Sequence, residues 1–305
     1  MLGKRLKYGD TIGLISPASP ENIDAISKGI SFLKSKGFNV KEGNHLYDKL
    51  GYLAGKDEDR ASDLMEMFLD SSVDMILCIR GGYGCSRILP YINFEDIKKN
   101  PKIFGGFSDI TVLLNLLKKK CNLTTFHSPM GSSKLEDEET FNSFIMSLMH
   151  GYFPYIIENP TAYPTQCIIK GTCEGELLGG NISLLCSLLG TPYEIDTADK
   201  ILFLEDVSEE PYEIDRMLTQ LLLANKLQNC KGIILGQFKD CVLPHYERSL
   251  TLDEVFEDRL YSLGIPILKD FCSGHDYPKL TLPIGAMISL DTCKGSIQVL
   301  EPVVK

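Results

Sequence analysis

The side chains of this sequence that are placed to do chemistry sit on two glycine-rich loops. The first is Gly105-Gly106-Phe107-Ser108-Asp109-Ile110-Thr111, between an apolar run, KIFGGF, and a helical one, TVLLNLLKKK. A serine on a sharp strand-to-helix turn presents its hydroxyl at the head of a helix, where adjacent N–H groups and the dipole stabilise an anionic tetrahedral intermediate. Gly-x-Ser supplies that turn, with Ile110 where a hydrolase elbow has its second glycine. The same residues also make a helix start, with Ser108 as N-cap and Asp109 and Thr111 in the first turn. The second loop, Arg80-Gly81-Gly82-Tyr83-Gly84, follows the apolar run DMILCI. Its glycines let the backbone turn N–H groups toward an oxyanion or a phosphate, or they form no more than a tight turn. The spacing matches neither G-x-G-x-x-G nor a Walker loop.

A nucleophilic serine needs a base, and histidine is the usual one. His45 and His150 fall in loops or at a helix end, His127 follows a strand and His245 lies in the polar LPHYER loop. His275, in FCSGHDYP, has glycine before it and proline close after it, in an irregular segment that can present a side chain to a cleft. A carboxylate must then fix the imidazole tautomer. Glu205 closes the apolar run ILFLE, and Asp206 is its rival, because one residue of register exchanges the two. Cys85 and Cys272 lie close to the same loops, but nothing marks either as an activated thiol.

These loops must be held by the elements around them. Residues 1–150 alternate short apolar runs with amphipathic stretches, the pattern of a parallel sheet covered by helices. The expected strands are TIGLIS, FNVKEG, VDMILCI, KIFGGF and LTTFHS. Ser19 and Pro20 read as the N-cap and first position of a helix running to about Lys36, with Gly37 as its stop. A second helix covers DEDRASDLMEMFLD, with Leu64, Met67 and Phe68 on one face. Residues 151–170, with Pro154, Pro160 and Pro164, read as a linker. From 171 to 305 the pattern is a second, smaller α/β domain with mixed strands: a Gly-rich stretch GELLGGN, a helix SLLCSLLG, a strand ILFLE, a helix from about Glu213 to Lys226, a strand GIILGQF and a Pro-rich run. In open parallel sheets ligands bind beyond the carboxyl ends of the strands, where both glycine loops fall.

Composition narrows the partners. A formal net charge of −10 disfavours nucleic acid and anionic membrane surfaces, which select for clustered lysine and arginine, and favours a small-molecule or peptide substrate. No apolar run approaches the roughly 20 residues of a membrane helix, and the amino-terminal apolar stretch is too short for an export signal. The ten cysteines show no C-x-x-C pair, which fits reduced thiols in a cytoplasmic protein. Neither H-E-x-x-H nor zinc-ligand spacing is present, so neither metal nor cofactor is expected.

Several blocks, in order, resemble the LD-carboxypeptidase family of serine peptidases, which also includes microcin-C immunity peptidases. They are GLISPASP, IRGGYG, GFSDIT, LLGGNISLLCSLLGTP, LEDVSEEPYEIDRML, GIILGQF and GHDYPKLTLPIGA, and they span nearly the whole chain. The resemblance implies a Rossmann-like amino-terminal domain joined to a smaller carboxyl-terminal one, usually as a homodimer. It implies a catalytic triad of Ser108, Glu205 and His275, with the nucleophile on the first domain and the other two members on the second. It also implies an oxyanion hole from the main-chain N–H groups of Gly82 and Asp109, with Gly81 beside them. The implied activity is release of the terminal D-alanine of murein tetrapeptide. An exopeptidase must recognise a free carboxylate, and Arg80 offers a bidentate clamp for it, or else pins its own loop. Two other readings stay open: a family peptidase that inactivates a peptide–nucleotide antibiotic, and a non-catalytic module that uses the Gly-rich loop as an anion nest. The absence of tryptophan removes an indole platform for a nucleobase and favours the murein peptide.

Overall fold

A computed structural model of the protein describes residues 1–243 and 245–305; Pro244, in the LPHYER sequence, lies outside them. The chain forms two compact units. The first comprises Met1–Pro154, Leu280–Gly285 and Glu301–Lys305, and the second Tyr155–Lys279 and Ala286–Leu300.

In the first unit the expected strands are present as β1 (Thr11–Ile15), β2 (Asn39–Glu42), β3 (Met75–Cys78), β4 (Ile103–Gly106) and β5 (Thr125–His127). They pair in parallel in the order β5-β4-β3-β1-β2. All residues of β3 and β4 are buried, as continuous apolar runs must be when helices cover both faces. The helices are α1 (Ile23–Ser35), α2 (Asp57–Leu69), the short α3 (Cys85–Ile88), α4 (Phe94–Lys99), α5 (Thr111–Cys121) and α6 (Glu138–Ile145). Helix α1 buries Ile26, Ile30 and Leu33 at helical spacing. It stops as expected, with Gly37 at φ +87° just beyond its C-cap, Lys36. Its start is different. The N-cap is Asn22, whose side chain accepts the Asp24 N–H at 2.8 Å, because Ser19 is used elsewhere.

In the second unit the strands are β6 (Tyr155–Glu158), β7 (Gln166–Ile169), β8 (Thr172–Asn181), β9 (Lys200–Val207), β10 (Gly232–Lys239) and β11 (Ile267–Lys269), joined by β13 (Met287–Asp291) and β14 (Ser296–Val299). Strand β12 (Leu282–Ile284) belongs to the first unit and pairs antiparallel with β5 at the edge of its sheet, where Pro283 is tolerated. The second sheet runs β6-β14-β13-β8-β9-β10-β11-β7, parallel from β8 to β11 and antiparallel outside that block. Helices α7 (Ile182–Ser187), α8 (Pro211–Leu223) and α9 (Leu252–Leu260) complete it.

Two expectations are corrected here, and a stretch left without an element is placed. The stretch expected as a linker at 151–170 contains β6 and β7, because Pro154, Pro160 and Pro164 flank these strands rather than interrupt them. The GELLGGN stretch is the last seven residues of β8, the final five of them buried. The chain does not stay in the second unit to residue 305, since β12 and the last five residues return to the first. Among the described residues no helix is long and apolar enough to cross a membrane.

Candidate active site

At the carboxyl ends of β1, β3 and β4 the first unit gathers three loops on either side of the point where strand order reverses, the usual ligand position in such sheets. Ser108 follows β4 by two residues, opens a 3₁₀ turn at Ser108–Ile110 and leads into α5. Its φ is +63°, a left-handed conformation that costs a residue with a Cβ about 1–3 kcal/mol and that surrounding structure must enforce. An N-cap has extended backbone, so Ser108 is no cap; it is half-buried on a strained strand-to-helix turn.

The Gly-rich loop lies against this serine. A Cβ added to Gly81 would stand 2.7 Å from Ser108 Cβ, 2.9 Å from its Oγ and 3.2 Å from the Asp109 nitrogen. Gly82, at φ +102°, passes so close to Ser19 that any side chain would strike its hydroxyl. Ser19 therefore serves this loop instead of a helix: its N–H donates to the Gly81 carbonyl at 3.2 Å and its Oγ accepts the Tyr83 N–H at 3.1 Å. The buried Asp109 carboxylate accepts the Cys85 N–H at 2.7 Å, tying the serine turn to the far end of the loop. Burial pushes that carboxyl above the usual range, and the Cys85 N–H works against the shift. The buried Arg60 braces the same region, donating to the carbonyls of Gly84, at 3.0 Å, and Pro17. Arg80 is half-exposed; its guanidinium donates to the Pro20 carbonyl at 3.1 Å and lies 3.7 Å from Glu21.

In the second unit, Glu205 on β9 is fully buried, and its Oε2 lies 2.6 Å from His275 Nδ1. The neighbouring Asp206 points to the other face of the strand. There it accepts the Asn181 Nδ2–H at 2.8 Å, the Ser183 Oγ–H at 2.7 Å and the Ser183 N–H at 3.0 Å, at the start of α7. Alternation along the strand thus separates an imidazole partner from a helix anchor. Burial raises the Asp206 carboxyl, and the Ser183 hydroxyl offsets part of the rise.

Gln237 holds the segment that carries His275. Its Oε1 accepts the Asp276 N–H at 2.9 Å, its Nε2 donates to the Pro278 carbonyl at 3.0 Å, and its N–H donates to the Ser273 carbonyl at 2.9 Å. Gly274, at φ +142°, has no room for a side chain: a Cβ would lie 2.9 Å from the Gln237 carbonyl oxygen and 3.1 Å from Glu205 Oε2. Ser19, Arg60 and Gln237 are the parts that motif reading missed. Ser19 and Gln237 do stand inside GLISPASP and GIILGQF, whereas Arg60 sits on an ordinary amphipathic helix with no such signal. His127, on β5, is fully buried and packs against Phe107, with ring centroids 5.9 Å apart. Cys85 and Cys272 are both buried, and burial drives the Cys85 thiol well above its ordinary range and the Cys272 thiol up to about 11, the reverse of activation.

Each unit thus carries one feature of hydrolytic sites, a strained serine turn in the first and a carboxylate-held imidazole in the second. The family of the chain follows from comparison with known proteins. Residues 12–128 match the LD-carboxypeptidase N-terminal domain and residues 174–290 the LD-carboxypeptidase C-terminal domain. The probable murein peptide carboxypeptidase of Bacillus subtilis is 44% identical over 295 residues, covering 95% of this chain and 92% of that one. A muramoyltetrapeptide carboxypeptidase from Oxalobacter formigenes has the same fold, with a TM-score of 0.83, 29% identity and coverage of 95% of this chain and 97% of that one. MccF in complex with glutamyl sulfamoyl guanosine superimposes with a TM-score of 0.92 at 26% identity, covering 100% and 99% of the two chains. The chain belongs to the LD-carboxypeptidase family, and its activity is that of a carboxypeptidase.

Proposed function

We propose that the protein is a serine carboxypeptidase of LD type that hydrolyses the bond to the terminal D-alanine of murein tetrapeptide. The observation that carries the reading is the contact between Glu205 and His275, a buried carboxylate 2.6 Å from Nδ1 of an imidazole, the arrangement that orients a histidine as a general base. The Ser108 hydroxyl attacks the scissile carbonyl carbon, and His275 takes its proton. The main-chain N–H groups of Gly82 and Asp109, beside Gly81, receive the negative charge that develops on the carbonyl oxygen. As the C–N bond breaks, His275 returns the proton to the departing amine of D-alanine. Water then cleaves the acyl-enzyme by the same proton route, and Glu205 stabilises the imidazolium in both steps. Arg80 recognises the free carboxylate of the substrate, exchanging its contact with Glu21 for it. The working enzyme is a cytoplasmic homodimer acting on released peptide fragments. The chemistry requires Ser108 Oγ and the His275 imidazole to share a hydrogen bond when substrate is bound.

A second reading is supported by the likeness to MccF, described as the microcin C7 self-immunity protein in Escherichia coli and 29% identical to this chain over 335 residues. In that case an aminoacyl sulfamoyl nucleotide replaces the tetrapeptide. Parallel assays of D-alanine release from tetrapeptide and of amino-acid release from the sulfamoyl nucleotide separate the two. Tetrapeptide turnover with kcat/KM at least tenfold higher is expected, with Ser108→Ala lowering it by several orders of magnitude. Preference for the sulfamoyl nucleotide would overturn the substrate assignment, and full activity in Ser108→Ala would overturn the mechanism.

A further inference from the structure

Lys279 is among the largest fully buried side chains of the protein, at 1% exposure, and the mechanism above gives it no role. A buried ammonium is costly unless an anion faces it. Two carboxylates oppose that cost: Glu205 from β9, whose Oε2 lies 2.6 Å from His275 Nδ1 on the segment that carries the lysine, and Asp276 from that same segment. Asp276 is already paired with Lys239 of β10, at 2.8 Å. Glu205, itself fully buried, is the larger influence on Lys279. The lysine is also fixed in place. Its Nζ lies 5.4 Å from the centre of the Tyr277 ring, and the carbonyl of the preceding Pro278 is held by Gln237, the residue that also holds the histidine segment.

We propose that Lys279 is a positioning residue for the reaction, its ammonium acting as the buried counter-charge that keeps Glu205 ionised opposite His275. The inference rests on the triad reading and adds to it a fourth, indirect member. With the ammonium present, the imidazole–carboxylate pair, His275 and Glu205, carries a compensated charge and binds an extra proton weakly. Without it the pair takes up that proton more readily, whichever of the two receives it, and a protonated pair is no base. Burial lowers the Lys279 ammonium to about 8, and Glu205 and Asp276 resist that fall.

The test compares the pH dependence of kcat/KM in the full-length protein and in Lys279→Met, using the tetrapeptide. The acidic limb of the variant is expected to move up by about one pH unit or more, so that activity falls further at pH 6 than at pH 8. A Lys279→Arg variant is expected to keep the limb where the unmodified protein has it. A uniform loss at every pH, with the limb unmoved, would mean that Lys279 only fills space and would overturn the proposal. A second measurement needs no turnover: NMR titration of lysine labelled at Cε, with the Lys279 signal assigned from Lys279→Arg. In Glu205→Gln the midpoint is expected to fall, because burial remains while the anion is gone. An unchanged midpoint would also overturn the proposal. Coupling seen by NMR together with an active Ser108→Ala would overturn the peptidase mechanism and leave the counter-charge standing.

Discussion

At the scale of single residues, position on the backbone decides which of several similar side chains can act. Ser108 is marked by a left-handed φ that a capping serine does not adopt. Glu205 and Asp206 are adjacent carboxylates, both buried, and strand alternation gives them different neighbours. Their substitutions therefore have different signatures. Glu205→Gln is expected to lower kcat by about 10³–10⁴-fold, the loss that follows when an imidazole's orienting carboxylate becomes an amide. Asp206→Asn leaves the imidazole alone but disturbs a buried network at the start of α7, and its expected cost is about 1–3 kcal/mol of stability. Thermal melts and steady-state kinetics on both variants check this. A kinetic collapse in Asp206→Asn with Glu205→Gln active would reverse the assignment.

At the scale of elements, the segments that carry Ser108's neighbouring loop and His275 are held by side chains that lie far from them in sequence. Ser19, after β1, grips the loop after β3, and Gln237, on β10, grips the segment carrying His275. Gln237→Ala is expected to lower kcat tenfold or more with KM changed less than threefold, because the imidazole is released from its orientation while residues that bind substrate are untouched. A change in KM alone, measured on the same tetrapeptide, would show that Gln237 serves binding instead. Strands β1, β3 and β4 are legible because buried parallel strands are written as nearly uninterrupted apolar runs, whereas β2 is mostly exposed and is placed by the alternation with helices around it. The end of α1, which Gly37 signals, is legible too. The start of α1 differs from the expected one because Ser19-Pro20 is a sound local signal that a tertiary contact overrides. Strands β6 and β7 resemble a linker in sequence because prolines stand at their borders, and β12, β13 and β14 leave little signal because each is only three to five residues long. The serine and histidine loops carry motifs of their own, and Lys279 stands inside GHDYPKLTLPIGA; Arg60 carries none, and only its burial and neighbours distinguish it.

At the scale of the whole molecule, ten free cysteines are distributed over both units, and most are buried. Cys167 and Cys293 are exposed. Burial raises the thiols of Cys186, Cys230 and Cys241 to about 12. Brief alkylation of the native protein, followed by mass mapping, is expected to label Cys167 and Cys293 and to leave Cys85 and Cys272 unmodified, with activity retained. Inactivation that tracks labelling of Cys272 would make the protein a thiol hydrolase.

The central claim is that Ser108 is the nucleophile, and the most direct measurement is mass mapping of the protein after reaction with a serine-directed phosphonate. One adduct per chain is expected, on Ser108, with activity lost in proportion to labelling, protection by tetrapeptide, and no adduct in Ser108→Ala. Inactivation with the phosphonate on any other residue, or complete loss of activity with Ser108 unmodified, would contradict the account.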